Sequence, residues 1–106
     1  MPDLFVVESA SALWLRVKRL QLTAAEARAC PADLAAVPMD YAPDRALAPA
    51  ALSLACDLGH PAYDCLYLAL ALERAGVAVT ANRRFAGAVA SHPYLAGRVV
   101  LLSEIA

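Results

Sequence analysis

Three side chains stand where chemistry could use them: Glu8, Asp64 and Asn82. Asp64 lies in HPAYDCLYLALALERAGVAVTANRRF, residues 60–85, where every other residue from Pro61 to Leu72 is apolar or small. An ionised carboxylate buried without a partner costs several kcal/mol. Asp64 therefore either reaches solvent at a cleft, takes a cation from elsewhere, or caps nearby backbone N–H groups. Asn82 follows a short apolar run, VAVTA, at the place where open α/β sheets bind ligands, outside the carboxyl ends of their strands. Asparagine is also a preferred helix N-cap, and a helix is expected to begin here. Thr80 to Arg84 thus forms a candidate site edge, in which Arg83 and Arg84 suit phosphate contacts or a solvated face. Glu8 is a second lone acid on an otherwise uncharged helix, LFVVESASALW, and reads either as idle surface or as a functional acid. Converging carboxylates make a hard, oxygen-rich site suited to Mg²⁺ or Mn²⁺. Such an ion lowers the pKa of bound water and stabilises in-line attack on phosphorus.

The elements that must position these residues follow from the pattern. Leu4, Val7, Ser11, Trp14, Leu15 and Lys18 recur at helical steps, which predicts a helix from Leu4 to about Leu20, with Asp3 at its start. TAAE at 23–26 has capping-box spacing and opens a short second helix that stops before Pro31 or soon after it. AVPMDYA, 36–42, alternates like a strand, restricted by Pro38 to an edge or a strand start. Pro49 suits the first turn of a further helix, and Gly59 suits the position just past its end. Pro61 starts the next helix, running to about Arg74 and closed by Gly76. Residues 77–81 and 98–102 read as buried strands, with a short helix from Asn82 between them. Strand, helix, strand makes a βαβ unit with parallel strands, so the fold class is α/β with helices on both faces of a small parallel sheet.

Composition bounds the function. The 106 residues suit one small domain, 61% of them hydrophobic and only 18% charged. A surface so poor in charge suggests cover by a partner, most simply a second copy. The net charge of −1 excludes a general basic field for coating DNA, though not a local basic patch. Cys30, Cys56 and Cys65 are odd in number, show no CxxC pairing and read as buried free thiols. No apolar run reaches the ~18 residues of a membrane span. Together these predict a cytoplasmic protein with no membrane partner. His60 and His92 both precede proline and read as turn residues, and Trp14 and the tyrosines read as packing.

The order of these features resembles the PIN-domain family, and within it the VapC-type toxins of toxin–antitoxin pairs. GHPAYDCLYLALALERAGVAVTANRRF is similar to that family's acid-bearing helix, short strand, "TAD" and basic residue. PDLFVVESASALWLRV is similar to its earlier glutamate-bearing helix, and RVVLL to its closing strand. The resemblance implies a metal-dependent RNA endonuclease that hydrolyses a phosphodiester, with Glu8 and Asp64 as metal-binding acids for Mg²⁺ or Mn²⁺. It makes Asn82 the third catalytic position and places Thr80, Arg83 and Arg84 against substrate. It further implies a homodimer and a cognate antitoxin that blocks the site.

The expected fold is then a PIN-like three-layer α/β/α domain over residues 1–106, partial because the family's first, central strand and its aspartate are expected to be missing. Asn82, where the family usually has a further aspartate, brings no charge, and fewer anionic ligands weaken divalent-metal binding. The alternative expectation is a catalytically inactive PIN-like remnant that serves as a dimerisation or antitoxin-binding module. A small α/β domain whose acids are only caps is the third reading.

Overall fold

The computed structural model describes residues 1–105. They form five α-helices, two short 3₁₀ turns and a parallel two-stranded sheet, a mixed α/β chain that is mostly helical. The chain divides into two compact units, one of Met1 and Asp3–Tyr41, the other of Pro2 and the residues from Ala42 onward.

The first unit is a helix pair. Helix α1, Leu4–Lys18, begins without the expected side-chain cap, because Asp3 itself has helical dihedrals and its side chain makes no capping bond. Arg16 and Lys18 lie in the last turn, where the helix dipole favours cations. Helix α2, Ala24–Ala35, opens with a complete capping box. The Glu26 N–H donates to Thr23 Oγ1 and the Thr23 N–H donates to Glu26 Oε1. The Thr23 backbone N–H, then its side chain, hold the Glu26 carboxyl below its usual pKa.

Helix α2 takes Pro31 inside it and ends soon after, at Ala35. A proline ring locks φ at a helical value, so the local cost is the missing N–H for the Ala27 carbonyl and crowding against it. Neither helix of this unit contains a buried residue. Val6, Val7 and Trp14 are each more than half exposed, so Trp14 does not pack in a core as expected; the Lys18 ammonium lies 5.3 Å from its ring centroid.

The second unit holds the sheet. Helix α3 spans Asp44–Leu58 and begins before Pro49, which sits inside the helix instead of in its first turn. Pro43, extended, stands at the N-cap, and Asp44 supplies the negative charge that a helix start favours. The stretch 36–42 forms no strand; only an isolated parallel bridge joins Pro2 to Ala42. Helix α4, Ala62–Glu73, packs along α3. Leu47, Ala51 and Leu54 of α3 are buried, as are Cys65, Leu66 and the run Leu68–Ala71 of α4. Alanines at these positions let the two backbones approach.

Strand β1, Ala78–Thr80, pairs in parallel with β2, Val99–Leu101, in the register Ala78↔Val99, Val79↔Val100 and Thr80↔Leu101. Helix α5, Arg83–Ala90, connects them and buries Phe85 and Val89, one helical turn apart. Val77 and Val79 point the same way and are half exposed, so that side of β1 is open.

Left-handed residues close three of these helices. Gly59 (φ 62°) ends α3 as expected, and the His60 N–H returns to the Ala55 carbonyl at 3.2 Å. At the end of α4 the left-handed residue is Ala75 (φ 52°), not Gly76, whose N–H donates to the Ala71 carbonyl at 2.7 Å. Leu20 (φ 59°) takes the same role after α1. The left-handed conformation costs an L-residue roughly 1–2 kcal/mol, of which glycine's larger unfolded-state entropy returns about half. Ala75→Gly is therefore expected to stabilise the chain by about 0.5–1 kcal/mol, seen as a rise of a few degrees in the thermal midpoint.

Candidate functional site

Asp64 and Asn82 meet. Asp64 occupies the third position of α4, in the first turn, and Asn82 sits two residues beyond β1 as the N-cap of α5. The Asn82 Nδ2 donates to Asp64 Oδ2 at 3.2 Å. The N-cap reading of Asn82 holds, because its Oδ1 accepts the Phe85 N–H at 3.1 Å and so caps the helix. These two bonds fix the amide orientation. Turning it over would set an oxygen against the carboxylate and an NH₂ against a backbone N–H. The amide oxygen, the atom that could ligate a metal, is thus engaged away from Asp64. The Asn82 backbone N–H donates to Thr80 Oγ1 at 3.0 Å, which holds the turn between β1 and α5.

A further side chain joins the group, and the sequence reading had set it aside as a turn residue. His60 Nε2 lies 2.7 Å from the same Asp64 Oδ2. A carboxylate oxygen only accepts, so Nε2 is the donor. The His60 side chain is 8% exposed and that of Asp64 31%. The His60 ring lies against the Phe85 ring, with centroids 4.8 Å apart and planes tilted by 42°. Phe85 is among the most deeply buried side chains. The signal for His60 is its four-residue offset from Asp64, across Pro61.

The carboxylate is therefore asymmetric. Oδ2 receives two side-chain donors. Among the described residues no bond is made to Oδ1 and no buried side-chain oxygen or nitrogen lacks a partner, so Oδ1 reaches solvent. The charge is felt next door: burial, and then the Asp64 carboxylate, push the Cys65 thiol up to about 11. Cys65 is the only one of the three free cysteines that is buried as expected; Cys30 is half-buried and Cys56 exposed on α3.

Arg83 and Arg84 occupy the first two positions of α5 and are exposed; neither forms an ion pair among the described residues. Thr80 is half-buried at the carboxyl end of β1. Glu8 belongs to the other unit, in the second turn of α1, and is half-buried.

The donor set bears directly on a divalent cation. The described residues hold no group of three or more His, Cys, Asp or Glu able to hold a metal ion. A closed protein cage of the kind Ca²⁺ uses is not what these residues build. Mg²⁺ makes a different demand: it keeps several waters and is held through one or two carboxylates together with substrate phosphates. One solvent-facing carboxylate oxygen in the first turn of α4, bonded through its other oxygen to the residue that precedes two exposed arginines, suits that demand. No helix among the described residues is long and apolar enough to cross a membrane. Compared with protein-family models, curated proteins and solved structures, the chain matches none.

Proposed function

We propose that this chain is an RNA endonuclease of the PIN-domain, VapC type, dependent on Mg²⁺ or Mn²⁺ and acting in the cytoplasm as the toxin of a toxin–antitoxin pair. The observation that carries this reading is the hydrogen bond between Asp64 and Asn82, residues that lie 18 positions apart and that the resemblance pairs as site residues. The ion would be held by Asp64 through Oδ1. When bound, it supplies an activated water and charge stabilisation for attack on the phosphodiester. The chain's own residues do the rest. Arg83 and Arg84, at the start of α5, meet the RNA backbone. Thr80 fixes the turn that carries Asn82, and Asn82 and His60 hold the Asp64 carboxylate.

The test is cleavage of structured RNA with Mn²⁺ or Mg²⁺ against the same mixture with chelator. Cleavage that needs the metal is the expected result; none with any structured RNA sinks the reading. Arg83→Ala and Arg84→Ala are each expected to weaken RNA binding across sequences. Each should flatten the logarithmic salt dependence by about one unit, measured by filter binding over a salt series.

A second reading has its own observation. The Asn82 oxygen faces the Phe85 N–H, and α1 leaves Val6, Val7 and Trp14 largely exposed. A PIN-like chain with a reduced ligand set and an uncovered apolar helix suits a catalytically inactive module that dimerises or binds an antitoxin. It would form a homodimer or a tight protein complex whose affinity chelator leaves unchanged, and it would not cleave RNA.

A further inference from the structure

We infer that His60 is a positioning residue: its Nε2–H holds one oxygen of Asp64 so that the other is presented to a divalent cation. This rests on the metal-dependent reading above and adds to it a residue that the resemblance does not supply.

The geometry gives His60 the stronger hold of the two donors. Its contact with Asp64 Oδ2 is 2.7 Å, against 3.2 Å for Asn82 Nδ2. The imidazole is itself held on several sides. Gly59 in the left-handed region turns the chain at the end of α3, and the His60 N–H is tied to the Ala55 carbonyl. Pro61 follows as the N-cap of α4. The ring rests against Phe85, which is 1% exposed. The donor nitrogen thus has little freedom, and it fixes the carboxylate torsion of a side chain that is otherwise a third exposed.

A carboxylate free to rotate offers either oxygen and loses that freedom on binding an ion. One whose rotation is already stopped binds with less loss. Hydrogen bonds behind a metal-binding carboxylate typically set affinity by ~10–100-fold for this reason. His60 also leaves the cation face uncrowded, because it approaches the oxygen that the ion does not use. It touches neither the ion nor the RNA in this arrangement and acts only through Asp64.

Two variants separate donor from packing. His60→Phe keeps a ring against Phe85 and removes the N–H. His60→Gln removes the ring and keeps a donor, since the glutamine Nε2 reaches about as far as the imidazole Nε2. Mn²⁺ binding to the intact chain is measured by calorimetry, and folding by the thermal midpoint of the helical signal. The expected result is Mn²⁺ affinity for His60→Gln close to that of the unaltered chain, and a loss of ~10–100-fold in His60→Phe, although His60→Phe is the better packed of the two. Equal affinities in all three proteins, or the larger loss in His60→Gln, would overturn the positioning role and leave the metal-dependent reading standing. Absence of Mn²⁺ binding by the unaltered chain, alone and with an uncleavable 2′-deoxy oligonucleotide supplying phosphates, would overturn both.

Discussion

Asp64→Asn is expected to abolish metal-dependent RNA cleavage, by roughly 100-fold or more, while changing stability by no more than ~1 kcal/mol. The asymmetry of the carboxylate makes the two effects separable. Both side-chain donors, from His60 and Asn82, converge on one oxygen, Oδ2. An asparagine can place its single oxygen there and keep both bonds, so the folded state loses little. Its NH₂ then stands where Oδ1 reaches solvent. That group carries no charge and cannot ligate a cation. Loss of several kcal/mol of transition-state stabilisation corresponds to two or more powers of ten in rate. Asp64→Leu behaves differently. It strands the His60 N–H, whose side chain is 8% exposed, and an unpaired buried donor costs about 1–3 kcal/mol. Cleavage rates with the thermal midpoints of both variants read the contrast. If Asp64→Asn cleaves as fast as the unaltered chain, Asp64 is a structural acceptor and no metal ligand.

The site was partly legible because its markers are local. A lone acid in an apolar helix stands out against its neighbours, and an asparagine after a β-branched run marks a strand-to-helix turn. The structure joins Asp64 and Asn82 by a hydrogen bond that neither marker alone implies. His60 stands at the helical four-residue offset from Asp64, but its place before Pro61 reads as a turn, and only the structure shows its ring nitrogen on the carboxylate.

The fold was legible to a similar depth. The capping box at Thr23 and the glycine turn at 59 depend on residue chemistry within a few positions, and both form. So do the two parallel strands and the helix between them. Proline misled at residue 49, since the ring is compatible with helical φ and only the carbonyl four residues earlier suffers. Left-handed closure at Leu20 and Ala75 was invisible because helix closure can hold a non-glycine residue there against its preference. The 36–42 stretch alternates like a strand, but alternation alone supplies no neighbour to pair with, and only the bridge at Ala42 forms. The open side of β1 and the exposed face of α1 were foreshadowed only by composition.

Phe85→Ala is expected to destabilise the chain by about 3–5 kcal/mol, the usual range for deleting a buried aromatic side chain and leaving its cavity. Phe85 is 1% exposed, and its helix packs against both strands. A folding unit of this size has only roughly 3–10 kcal/mol of stability, so the loss removes much or all of it. Urea unfolding followed by circular dichroism measures the effect as a large fall in midpoint. The consequence extends to the site, because Phe85 touches it twice. Its ring backs His60, and its N–H is the group that Asn82 Oδ1 accepts. The second contact belongs to the backbone and survives truncation; the first does not. Phe85→Leu refills part of the cavity without restoring the flat face against the imidazole. It should recover most of the stability while leaving His60 freer to rotate. A Phe85→Leu protein that is well folded but binds Mn²⁺ more weakly would separate the core function of this side chain from its support of the Asp64 carboxylate. A midpoint for Phe85→Ala within ~1 kcal/mol of the unaltered chain would mean that α5 is not anchored to the sheet through this ring.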